Sequence, residues 1–200
     1  TDQGGGLLVL SDALYILNSQ VRRNVAATSG GIFAHVKFLM VDQCEVRGNN
    51  ANHGEFGGIF AEGAEVALVR STNFHSNEAE IGGALSASSS TDMAVINCTF
   101  LDNRAVAGVG GAMVLIATSS SITESIFSNN IAVDSGGAFH TSNGNSTTIR
   151  NCQFVNNSAV EGSGSAVWIT GSELALVIGN NFSFNQALLG GGTVYWRASS

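Results

Sequence analysis

Apolar and polar positions alternate along this chain only in short bursts, and each burst ends in a bend before the next begins. The β-branched residues Ile16, Val41, Val69, Val95, Ile122, Ile149 and Val177 each precede a second apolar position, filled by Val21, Val46, Phe74, Phe100, Phe127, Phe154 and Phe182. Between the two lie Asn18, Gln43, Ser71, Asn97, Glu124 and Asn151, which this pattern turns outward. Alternation of period two is the signature of a half-buried strand, and no stretch keeps the i, i+3, i+4, i+7 spacing of an amphipathic helix. The pattern predicts an all-β chain of short strands joined by bends.

The bursts recur every 25–28 residues. Each second apolar position, here called the anchor, is followed by an asparagine (Asn24, Asn49, Asn77, Asn103, Asn130, Asn157, Asn185) and then an alanine (Ala26, Ala51, Ala79, Ala105, Ala132, Ala159, Ala187). A Gly-Gly pair opens each unit, in GGLL at 5–8, GGIF at 30–33 and 57–60, GGAL at 82–85, GGAM at 110–113 and GGAF at 136–139. GSAV at 164–167 and GGTV at 191–194 are looser forms. A unit this short without a helix is one turn of a solenoid. The expected architecture is a right-handed parallel β-helix of about seven coils, a single domain over residues 1–200, on the order of 34 Å long. Equivalent residues then stack in columns. The asparagines are expected to tolerate the left-handed backbone region and to bond one another from coil to coil, and the glycine pairs to form tight corners.

Counting from the first glycine of each pair places Leu8, Phe33, Phe60, Leu85, Met113, Phe139, Val167 and Val194 in an inward column. The next position, Val9, Ala34, Ala61, Ser86, Val114, His140, Trp168 and Tyr195, is expected to point outward. His140, Trp168 and Tyr195 would then form a lateral aromatic platform on successive coils, suited to a sugar ring or to a partner's apolar patch.

Composition narrows the function classes. A net charge of −7 with one lysine, Lys37, offers no footprint for a phosphate backbone, so nucleic acid is not an expected partner. No apolar run approaches the ~18 residues of a membrane span. The first and last residues already fall within repeats, so the chain reads as a segment of a longer one.

Cys44, Cys98 and Cys152 all stand two residues before an anchor and are separated by 54 residues, which is two coils. Stacking puts them roughly 10 Å apart. A disulfide needs Cα atoms within ~7 Å, so buried free thiols are expected, interchangeable with Ser19, Thr72, Ser125 and Asn180 at the same position.

The recurrent GGA(I/L/V/F) together with FHSN at 74–77, FLDN at 100–103, FSNN at 127–130, FVNN at 154–157 and FSFN at 182–185 resembles the repeat of the chlamydial polymorphic outer-membrane proteins. VRRN at 21–24 and VRGN at 46–49 are looser matches. The resemblance implies a right-handed β-helix displayed on a cell surface, a fold that serves adhesion in that bacterial family.

Parallel β-helices also include polysaccharide lyases and hydrolases, whose sites gather carboxylates on one face, with or without calcium. Glu55, Glu80 and Asp134 each precede a Gly-Gly pair, with Glu78 nearby; Glu55 and Glu80 lie on adjacent coils and are the candidates for a shared Ca²⁺. They do not amount to a catalytic set, so no catalytic residue, cofactor or enzymatic activity is expected. His35, His53, His75 and His140 fall at different repeat positions and form no metal column. Of the sequons at Asn97, Asn145, Asn156 and Asn181, Asn145 sits in the most loop-like stretch and is the expected acceptor in a eukaryotic source. The reading is a non-enzymatic structural or assembly module of an extracellular surface protein or filament, partnered at its coil ends by other copies or neighbouring domains. The alternative is an adhesin or carbohydrate-binding module whose lateral face takes a glycan or a host or cell-surface protein, with a polysaccharide-processing enzyme more distant.

Overall fold

The computed structural model describes residues 3–189 and 192–198; Gly191 of the last glycine pair lies outside them. Each coil carries strands on three faces. In the first two coils a single long strand, Leu7–Leu17 or Ile32–Asp42, runs along the first and second faces without a break. In later coils it divides, as Ile59–Glu62 and Val66–Arg70, Leu85–Ser88 and Asp92–Ile96, or Met113–Ile116 and Ser119–Thr123. The division falls at Gly63, Ser89, Ala117, Asn143 and Gly171, all with φ between 51° and 69°. The third face consists of three-residue strands centred on the anchors, such as Asn73–His75 and Thr99–Leu101. Two-residue strands ending in the alanines, such as Glu78–Ala79, complete the coil.

Every pairing among these strands is parallel and joins a residue to its counterpart one coil away, as in Phe74↔Phe100↔Phe127↔Phe154↔Phe182. The strands form one 13-stranded sheet, which carries the first and second faces, and two 7-stranded sheets. Burial follows the alternation. Val41, Val69, Val95, Ile122 and Ile149 are buried on the second face, and Phe74, Phe100, Phe127 and Phe154 on the third. The stacked anchor rings lie nearly parallel, with centroids 4.6 to 4.9 Å apart, so the sheet spacing sets a continuous aromatic column.

The asparagine column is a directional ladder. In each coil the backbone N–H and the side-chain Nδ2 of the asparagine both donate to Oδ1 of the asparagine one coil on, as Asn77 does to Asn103 and Asn103 to Asn130 at 3.0–3.1 Å. The same Nδ2 also donates back to the carbonyl of the preceding coil's anchor, Asn103 to Phe74 and Asn130 to Phe100, at 3.0 Å. The left-handed conformation expected of these asparagines belongs instead to the residue before each of them: Arg23, Gly48, Ser76, Asp102, Asn129, Asn156 and Phe184 all have positive φ. The preceding residue turns the chain, and the asparagine fills the inside of the turn.

The register corrects the glycine alignment by one residue. Leu7, Ile32, Ile59, Leu85, Met113, Phe139, Val167 and Val194 form a single column. Leu8, Phe33 and Phe60 therefore align with Ser86, Val114, His140, Trp168 and Tyr195, and the expected members Val9, Ala34 and Ala61 do not. The cause is the corner. Gly82, Gly110, Gly136 and Gly164 take a left-handed turn that Ser29 and Phe56, at the equivalent position, do not. The column shared by all but one coil is the next one, Gly57, Gly83, Gly111 and Gly137, where a Cβ would run into the carbonyl of the following coil.

All three cysteines are free and buried. The sulfur of Cys98 contacts the Ile96 carbonyl at 3.3 Å, as Ser125 Oγ bonds the Thr123 carbonyl at 2.8 Å, so thiol and hydroxyl occupy one kind of niche. Burial pushes the Cys98 thiol up to about 11 and raises Cys152 as well. Since the thiolate is the reactive form, a maleimide at neutral pH is expected to leave all three unmodified in the native protein and to label all three in denaturant. Rapid labelling of Cys98 without denaturant would contradict this burial.

Candidate functional site

His140, Trp168 and Tyr195 stand in register on three successive coils, with ring centroids 6.2 and 5.0 Å apart. They lie outside the coil wall, but they are half-buried. The corner glycine of the same coil closes against the base of His140 and of Trp168, so that a Cβ on Gly136 or Gly164 would sit 3.2 or 3.3 Å from Cβ of that side chain. Nδ1 of His140 and Nε1 of Trp168 are shut off from solvent without a hydrogen-bond partner among the described residues. The tilted rings, at 48° and 51°, form no flat platform. At the other end of this column Phe33 and Phe60 pack with Phe56 in a small apolar cluster outside the main core. Counting from the glycines hid that cluster, because it assigned both phenylalanines to the interior.

Burial lowers the His140 pKa to about 4, partly opposed by the Asp134 charge. The folded protein therefore binds this proton more weakly than the unfolded chain, whose histidine titrates near 6.5. Stability should be unaffected by His140 above that value and should fall as pH drops from about 6.5 towards 4. Urea midpoints across this range are expected to fall less in His140→Gln than in the parent; equal slopes would place the imidazole in solvent.

Glu55 and Glu80 do lie on neighbouring chain segments, where Ile81 N–H donates to the Glu55 carbonyl at 3.2 Å. Glu78 is engaged by Asn50 Nδ2, and Asp134 by the Ser135 hydroxyl. Among the described residues no three His, Cys, Asp or Glu side chains come together as a metal site. Two histidines instead pair with glutamates one coil away, His35 with Glu62 and His75 with Glu45, both at 3.2 Å.

A different place on the molecule is open. On the outward side of the second face, Met40, Leu68, Ala94, Ser121, Thr148 and Leu176 form one column. The side chains shrink from Leu68 to Ala94 and Ser121 and enlarge again at Leu176, which leaves a hollow of about 350 Å³ walled by Val66 and Leu68. A second hollow, of about 410 Å³, adjoins it around the corner and shares Asp92 and Ser119. It is lined by Ser89, Thr91, Asn143 and the exposed sequon residue Asn145. Sequence reasoning missed both hollows, since they depend on side-chain sizes compared across coils in the second-face register.

Residues 5–200 match the family of the right-handed β-helix region, and the chain belongs to it. No curated protein and no solved structure matches the chain.

Proposed function

We propose that the chain is a non-enzymatic structural or assembly module of an extracellular surface protein or filament, its coils extended end to end by further coils of a neighbouring domain or another copy. The polarity of the asparagine ladder carries this reading. Among the described residues Asn185 N–H has no ladder acceptor and Asn24 Oδ1 no ladder donor, so the two ends carry complementary halves of the same contact. Inward apolar positions lie bare at both ends: Leu7 is 41% exposed in the first coil and Val177 39% in the last, whereas their partners Ile32 and Ile149 are buried. Unpaired strand edges of this kind are templates for another strand. The extracellular placement rests on the likeness of the GGA and FxxN signatures to the chlamydial surface repeat.

Sedimentation velocity of the 200-residue chain across a range of concentrations tests the assembly role. Linear multimers are expected, and Leu7→Lys should reduce them to monomer by charging one end only. A parent chain that stays monomeric at every concentration would defeat the proposal.

A further inference from the structure

The hydroxyls that line the first hollow differ from those at the corners of the coil. At the corners Thr72, Thr118 and Ser125 each donate to a backbone carbonyl two residues back, at 2.8 to 3.0 Å. Ser119, Ser121, Ser146 and Thr148, which line the first hollow, make no side-chain hydrogen bond among the described residues. Ser120, in the same strand, is buried with its hydroxyl unpaired among the described residues. The hollow thus combines free groups that can both donate and accept with an aliphatic wall.

Charge limits what fits there. Neither hollow is lined by a Lys or Arg, and their shared edge carries Asp92. On a chain of net charge −7 this gives no counter-charge for a phosphate, sulfate or uronate. A carboxylate with two free oxygens accepts well from neighbouring hydroxyls of a neutral ligand. The volumes are those of small-ligand clefts, and their shared edge makes them one continuous path around the corner.

We propose that the paired hollows bind a neutral oligosaccharide, one pyranose ring lying with its C–H face on Val66 and Leu68 and the next bonded within the polar hollow beyond Asp92. Aliphatic walls grip a sugar less strongly than aromatic ones, so the affinity is modest. This site is separate from the coil ends, and its failure would leave the sedimentation behaviour unaffected.

The test is titration of the ¹⁵N-labelled 200-residue protein with cellotetraose, maltotetraose, chitotetraose and, as the acidic counterpart, tetragalacturonate. At least one neutral tetramer should shift the amides of Leu68, Ala94, Ser121 and Thr148 with a Kd of about 0.1–5 mM, and the acidic tetramer should not. Ser121→Tyr, which fills the hollow from an outward position, should weaken that binding by about tenfold or more at unchanged thermal stability. Trp168→Ala should leave it unchanged. The proposal is overturned if no neutral probe produces these shifts at about 10 mM, if the shifts map to another face, or if tetragalacturonate binds as tightly.

Discussion

Phe127→Ala is expected to destabilise the protein by about 3–5 kcal/mol, the range for truncating a fully buried aromatic side chain. Phe127 is stacked between Phe100 and Phe154 at 4.6 and 4.7 Å, so its loss strips one face from two further rings. The strand spacing is fixed by backbone hydrogen bonds, so the coil has little freedom to collapse into the void, which favours the upper part of that range. Phe127→Leu should recover much of the loss by refilling volume. Urea unfolding of the three proteins decides it, and a Phe127→Ala midpoint equal to the parent's would mean the column is not packed as described.

Asn103→Ala should be comparably severe although it removes little apolar surface. The substitution leaves Asn77 N–H without its acceptor and the Phe74 carbonyl without its side-chain donor, and takes one partner from Asn77 Nδ2 and Asn130 Oδ1. All these asparagines are buried. At about 1–3 kcal/mol for a buried group left unpaired, the Asn77 N–H alone accounts for about 1–3 kcal/mol, and the groups that lose one of their partners add to it. Asn145→Ala, at an exposed turn, should cost less than about 0.5 kcal/mol and controls for asparagine loss as such. Equal melting temperatures for the two variants would remove the ladder from the account of stability.

The period, the anchors and the ladder asparagines were legible in the sequence because each occupies a column that tolerates few substitutes: a ring between rings, an amide between amides, an alanine in a narrow corner. The glycines misled for the opposite reason. Glycine serves two adjacent corner positions with different tasks, a left-handed turn at Gly110 and a close backbone approach at Gly111, and nothing in the letters separates them. That one-residue ambiguity moved Phe33 and Phe60 from the lateral column to the interior, because side chains alternate with period two. Likewise Asn129 and Asn130 are the same residue type, and only the backbone reveals that the first turns the chain at the surface while the second belongs to the buried ladder. The cover over His140 and Trp168 arises from the path of the corner, which residue spacing does not specify.

The ladder also has an electrical consequence. Each side-chain amide from Asn49 to Asn157 accepts at Oδ1 from the earlier coil and donates through one of its two N–H groups to the later one, so the amide carbonyl dipoles add along the axis instead of cancelling. Amide dipoles aligned in this way act as partial charges of opposite sign at the two ends of the row, here positive beyond Asn185 and negative before Asn24. Two such rods placed tip to tip attract, whereas two lying side by side are favoured in opposite orientations, so the molecule carries a built-in sense of direction that its outer charges do not supply.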